Sequence, residues 1–114
     1  MLGLSSSYRY FIFNGTVSMR KGIAGLSATV REQMGEAPDN PDNVYIFMSA
    51  DRRIVKILHY ERDCYVLYEK RPLYGKFRKP LFDSQTRKYQ ISWDDIVCLT
   101  EDITVSEIKL KKIG

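Results

Sequence analysis

Between two short aromatic and β-branched runs lies one segment with a sustained helical repeat, and that order points to a sheet with a helix packed on it. The first run, Tyr8 to Phe13 (YRYFIF), closes at the turn signal Asn14-Gly15. The second, Val44 to Met48 (VYIFM), has the character of a buried strand. In the intervening segment Met19, Ile23, Leu26, Val30 and Met34 recur at spacings of 4, 3, 4 and 4 residues, one narrow apolar stripe. Ser18 is placed to cap a helix from Met19 to about Met34. The acidic, proline-containing GEAPDNPDN (Gly35 to Asn43) then makes a loop.

Two glycines, Gly22 and Gly25, sit early in that helical segment, where each costs roughly 1 kcal/mol relative to alanine. On a helical wheel they join Thr29 as a small-residue strip beside the apolar stripe. They are expected to be a structural packing device, against the sheet first of all. Arg20 and Lys21 project away from the core side, so packing does not need their charge.

Ile54 to Tyr60 and Cys64 to Lys70 flank Glu61-Arg62-Asp63 and are expected to pair as a β-hairpin. In a simple register one face carries Val55, Ile57, His59, Tyr65 and Leu67, the other Ile54, Lys56, Leu58, Tyr60, Val66, Tyr68 and Lys70. Both faces are apolar enough to be covered, one by the helix. Residues 70–80 (KRPLYGKFRKP) hold five cations, no acid, two prolines and a glycine, and are expected to form an exposed basic arm or loop. RKYQIS suggests a last strand. SWDDIVCLTEDI, with Ser92 as cap and an acidic first turn, suggests a second, shorter, C-terminal helix. The expected fold is α+β: a small, mainly antiparallel sheet with a hairpin, one long helix packed on it and the shorter helix, in a single domain of 114 residues.

The residues give little support to catalysis. His59 is the one histidine and falls within a strand; Asp94, Asp95, Glu101 and Asp102 fit a helix start and a solvated end better than a metal pair. No phosphate-cradling glycine motif is present. Cys64 and Cys98 have neither a CxxC partner nor clustered histidines, and are expected to be buried reduced thiols. No cofactor or metal is implied. No apolar run approaches a membrane span, and the expected location is cytoplasmic.

Charge is the informative property. The chain carries a formal +4, but Asp51 to Pro80 alone holds nine Lys or Arg against four acids, +5. Cations interleaved with aromatics in an irregular segment suit phosphates and stacked bases. The candidate DNA-binding residues are Arg20, Lys21, Arg52, Arg53, Lys56, Lys70, Arg71, Lys76, Arg78 and Lys79, with Tyr68, Tyr74 and Phe77 as candidate aromatic contacts. Arg20 and Lys21 are expected to meet phosphates at a helix N-terminus.

MRKGIAGL (Met19 to Leu26), VYIF (Val44 to Phe47), KIL (Lys56 to Leu58) and LYEKRPLYGKFRKP (Leu67 to Pro80) follow one another in an order that resembles a known family. It is the accessory protein encoded by the second reading frame of insertion-sequence-66 transposons, called TnpB in that context. The resemblance spans about Gly3 to Asp102. It departs from the family pattern at His59, Tyr60 and Lys79, where tryptophans are usual, and at Glu61-Arg62-Asp63, where the turn usually has a glycine. It implies a bacterial, non-enzymatic protein assisting DNA transposition, with the transposon ends and an Asp-Asp-Glu type transposase as partners. The alternative it leaves open is an adaptor that binds the transposase and has no DNA affinity of its own.

Overall fold

A computed structural model describes residues 3–82 and 85–101, and residues 107–110 as backbone. Strands β1 (Arg9–Phe13), β2 (Asn43–Met48), β3 (Val55–Glu61), β4 (Cys64–Lys70) and β6 (Lys88–Ile91) form one sheet in the order β4-β3-β2-β1-β6. Strand β5 (Lys79–Phe82) pairs separately and in parallel with β7 (Glu107–Leu110). Helix α1 (Ile23–Thr29) connects β1 to β2, and α2 (Trp93–Glu101) follows β6. The sheet is mixed. β1 and β2 are parallel because the chain crosses over through α1 to return in the same direction, whereas β1/β6, β2/β3 and β3/β4 are antiparallel.

The expected long helix is overstated. α1 has seven residues and continues as a five-residue π-helical turn, Val30–Met34, which ends at Gly35 with φ +68°. Its N-cap is Gly22, not Ser18, and no side chain caps it. Ser18 closes an earlier turn instead: its carbonyl accepts the Lys21 N–H at 3.0 Å and its hydroxyl accepts the Arg20 N–H at 3.2 Å. Met19 therefore lies outside the helix, although it still packs beside the stripe residues Leu26, Val30 and Met34.

The hairpin exists, with a register one residue away from the expected one. Glu61 pairs with Cys64, leaving only Arg62 (φ +49°) and Asp63 (φ +63°) in the loop. Two consecutive left-handed residues are the signature of the tight I′ turn, whose twist matches the strands. A one-residue shift exchanges the faces of β4. Tyr68 thus lies opposite Ile57 and Val66 opposite His59, while Leu67 lies opposite Leu58 and Tyr65 opposite Tyr60.

Each face of the sheet has its own core. On one, Phe11, Phe13, Tyr45, Phe47 and Leu58 meet Leu26, Val30 and Met34. On the other, Tyr10, Ile12, Ile46, Ile57 and Tyr89 meet Leu4, Phe77 and the α2 residues Ile96 and Leu99. Ser92 does cap α2, its hydroxyl accepting the Asp95 N–H at 3.1 Å. Two core tyrosines end in hydrogen bonds, Tyr10 to Ser5 O and Tyr45 to Ala37 O, and burial pushes both phenols up to about 12.

Candidate nucleic-acid interface

The strand directions gather the cations. Parallel β1 and β2 end on the same side of the sheet; β3 begins there, β4 ends there and β6 begins there. Residues 14–22, 49–54, 71–78 and 85–87 therefore share one end of the sheet. That end carries Arg20, Lys21, Arg52, Arg53, Lys70, Arg71, Lys76, Arg78 and Lys79, and also Arg87, which donates to Asn14 O at 3.2 Å. The opposite end holds the acidic loop after Gly35, the Glu61 to Asp63 turn and the Asp94-Asp95 start of α2. The balance of charge thus differs along the strand axis, cations in excess at the first end despite Asp51, Glu69 and Glu101, and acids in excess at the second despite Arg9 and Arg62. Arg87 escapes sequence reasoning because, with Lys88, it lies beyond the basic 51–80 segment; strand order puts it beside those cations.

Lys56 does not belong to the exposed set. It is 7% exposed, and its ammonium donates to Met19 O at 2.7 Å and to Lys21 O at 2.9 Å, with Glu69 Oε1 at 3.8 Å. Those carbonyls would otherwise serve helical N–H groups four residues on, so Lys56 keeps residues 19–21 out of the helix. The expected placement of Arg20 and Lys21 on a helix N-terminus is corrected accordingly: they sit in the turn before it. Arg20 is exposed, and Lys21 lays its stem along α1 with Nζ 3.4 Å from Thr29 Oγ1.

This also revises the role of Gly22 and Gly25. A Cβ at Gly22 would meet nothing within 4 Å, and the atoms nearest to one at Gly25 would be those of the Lys21 side chain, at 3.1 Å. At Gly25 the small-residue strip accommodates the lysine stem. Replacing either glycine by alanine is expected to change stability by less than about 1 kcal/mol, the gain in helix entropy at Gly25 offsetting displacement of a flexible stem. Urea unfolding of the two variants checks this; a loss of several kcal/mol would mean close packing at that shoulder.

The 49–54 turn is ordered from within. Asp51 Oδ1 accepts the Ser49 hydroxyl at 2.8 Å and the Arg53 N–H at 3.1 Å, and these bonds hold its carboxyl below the ordinary range. Arg52 adopts φ +61°, and its carbonyl accepts the Phe77 N–H at 2.9 Å, tying this turn to the basic loop. Beneath the junction is a cavity of about 410 Å³, floored by Ile12, Phe13 and Met48 and edged by Arg52 and Lys76.

Within the basic segment, Lys70 closes β4 and pairs with Glu101, while Arg71 Nε lies 2.6 Å from Glu69 Oε2, a bond that keeps the Glu69 carboxyl low. Lys79 and Pro80 begin β5, so the irregular part is residues 71–78. Phe77, a candidate aromatic contact, is fully buried, and Tyr68 is half-buried against the same core; neither offers a free ring. Tyr74 does, at 82% exposed, beside Leu73 at 86%, which the sequence reading passed over.

Elsewhere the chemistry is structural. His59 is buried, its Nε2 3.0 Å from Pro41 O and its ring edge-on to Tyr8. Cys64 and Cys98 are unbonded and exposed, not buried as expected. Among the described residues no three His, Cys, Asp or Glu side chains gather as a metal would require, and no helix is long and apolar enough to cross a membrane.

The model of a family described as IS66 Orf2 like protein matches residues 8–110. No curated protein and no solved structure gives a significant match.

Proposed function

This chain belongs to the IS66 Orf2-like family of transposon accessory proteins, and on that premise we propose that it assists transposition without catalysis, by binding DNA at the ends of the element through the basic end of its sheet. The observation that carries this reading is the convergence of cations from four separate chain segments on one end, where they outnumber Asp51, Glu69 and Glu101, while Asp39, Asp42, Glu61, Asp63, Asp94 and Asp95 lie at the other. Such a charge axis orients the protein on a polyanion, basic end inward. Contacts from Arg20, Arg53 and Lys76 would position the complex without reading sequence. The acidic end would then face away from the duplex, toward the element's transposase or solvent. The adaptor alternative, which would use the hairpin face and exposed aromatics such as Tyr68 and Phe77, has less to stand on, because Phe77 is buried and Tyr68 packs against the same core.

Fluorescence anisotropy with a duplex of the element's end, titrated at several salt concentrations, tests the reading. The affinity is expected to fall steeply with salt, by a slope of about 0.9 per phosphate contacted. Replacing Arg20, Arg53 and Lys76 together by glutamate should lower affinity at least tenfold and flatten the slope by roughly two to three. No binding at low salt, or binding indifferent to salt, would sink the proposal.

A further inference from the structure

Two side chains at the basic end serve neither the fold nor phosphate binding. Leu73 and Tyr74 are 86% and 82% exposed, whereas the other large exposed hydrophobic among the described residues, Ile23, is 38% exposed. Water contact on this scale is unfavourable for both, and they are adjacent. They form the tip of the 71–78 loop, where the chain bends through Leu73, Tyr74 and Gly75, the last at φ +76°. Pro72 restricts the backbone on the approach to the tip.

The tip is exposed, but its base is held. On one side Lys70 pairs with Val55 in the sheet and with Glu101 of α2. On the other, Phe77 is fully buried and its N–H is bonded to Arg52 O. Only the residues between these anchors project, so the two apolar side chains are presented on a short, clamped loop. Their surroundings choose the partner. Arg71 precedes the tip, Lys76 follows it, and no acid lies between Lys70 and Pro80. An apolar projection straddled by cations matches a duplex, in which an apolar base stack lies between two rows of phosphates.

Resting on the reading that the basic end binds DNA, we infer that Leu73 and Tyr74 form a wedge that enters a base step of the bound duplex from the minor groove. The wedge partly unstacks that step and bends the DNA, while Lys76, and Arg71 through the guanidinium nitrogens that do not bond Glu69, hold the flanking phosphates. Side chains of this kind, inserted at a step, kink duplexes by roughly 20–90°. The protein is then a DNA-bending factor and not merely a clamp. Steps that are already weakened bind it best.

The test is resonance energy transfer between dyes at the two ends of an element-end duplex, with wild-type protein and with the double variant Leu73→Ser/Tyr74→Ser. Both residues are exposed, so the variant is expected to keep the wild-type urea midpoint. At saturation wild type raises the transfer efficiency, and it prefers a duplex with a central mismatch over the matched one. The variant still saturates the matched duplex with an unchanged salt slope, leaves it straight and loses the mismatch preference. Saturation by wild type without a change in transfer, or equal bending by the variant, overturns the wedge while leaving phosphate binding intact. A variant that bends DNA normally but no longer captures the transposase assigns the tip to protein contact and also overturns it. Failure of both proteins to bind any duplex removes the DNA-binding reading itself, and the wedge with it.

Discussion

Phe77→Ala is expected to cost about 3–5 kcal/mol of folding stability, a large share of the 5–15 kcal/mol typical of a domain. The ring is fully buried in the cluster that joins β1, β2 and β3 to α2, so truncation removes a large buried surface and leaves a cavity. It also releases the loop. Phe77 is the residue whose backbone bonds to Arg52, and without the ring residues 71–76 lose their fully buried anchor on that side. DNA affinity is therefore expected to fall even at temperatures where the variant remains folded. Urea unfolding measures the first effect and anisotropy the second. Lys76→Glu is the contrasting variant: its side chain is exposed, so it should weaken DNA binding while leaving the unfolding midpoint in place. A Phe77→Ala cost below about 1 kcal/mol would contradict core burial of the ring.

Phe77 also shows where sequence reasoning stopped. Strands announce themselves by aromatic and β-branched runs, and β1, β2, the hairpin and β6 are legible that way, as is the Ser92 cap of α2 from the acidic turn that follows it. A lone aromatic among cations has no period, so nothing local distinguishes an anchor from a stacking platform. The hairpin register lies one residue from the simple one because Arg62 and Asp63 adopt left-handed conformations without a glycine to announce them. The parallel pairing of β1 with β2 depends on how the chain crosses over, which the two apolar runs do not encode separately. For the candidate site the same division holds. The cations could be counted from the sequence; their convergence required the strand order, and Arg87 became visible only through it. What lies on the glycine strip is not legible either, because a small-residue strip looks the same whether a sheet or, as at Gly25, a lysine stem lies on it.

Lys56→Met carries the second large effect, about 2–3 kcal/mol. Methionine preserves most of the stem's volume, so the loss reports on the ammonium and its two carbonyl acceptors, Met19 O and Lys21 O. Hydrogen bonds from a charged donor contribute more than neutral ones, and the abandoned acceptors lie in a half-buried turn. The nearby Glu69 is 40% exposed at the side chain and 3.8 Å away, so Glu69→Gln is expected to cost under 1 kcal/mol. Hydrogen exchange locates the consequence: protection of the amides of residues 19–25 should change in Lys56→Met, while that of β2 stays as it is. Freed from the lysine, the Met19 and Lys21 carbonyls become available to helical N–H groups, and the turn that presents Arg20 loses its fixed geometry. DNA affinity should then decline although Lys56 itself touches no phosphate. Were the variant as stable as wild type, with exchange at residues 19–25 unchanged, the ammonium would not be what holds the Met-Arg-Lys turn out of the helix.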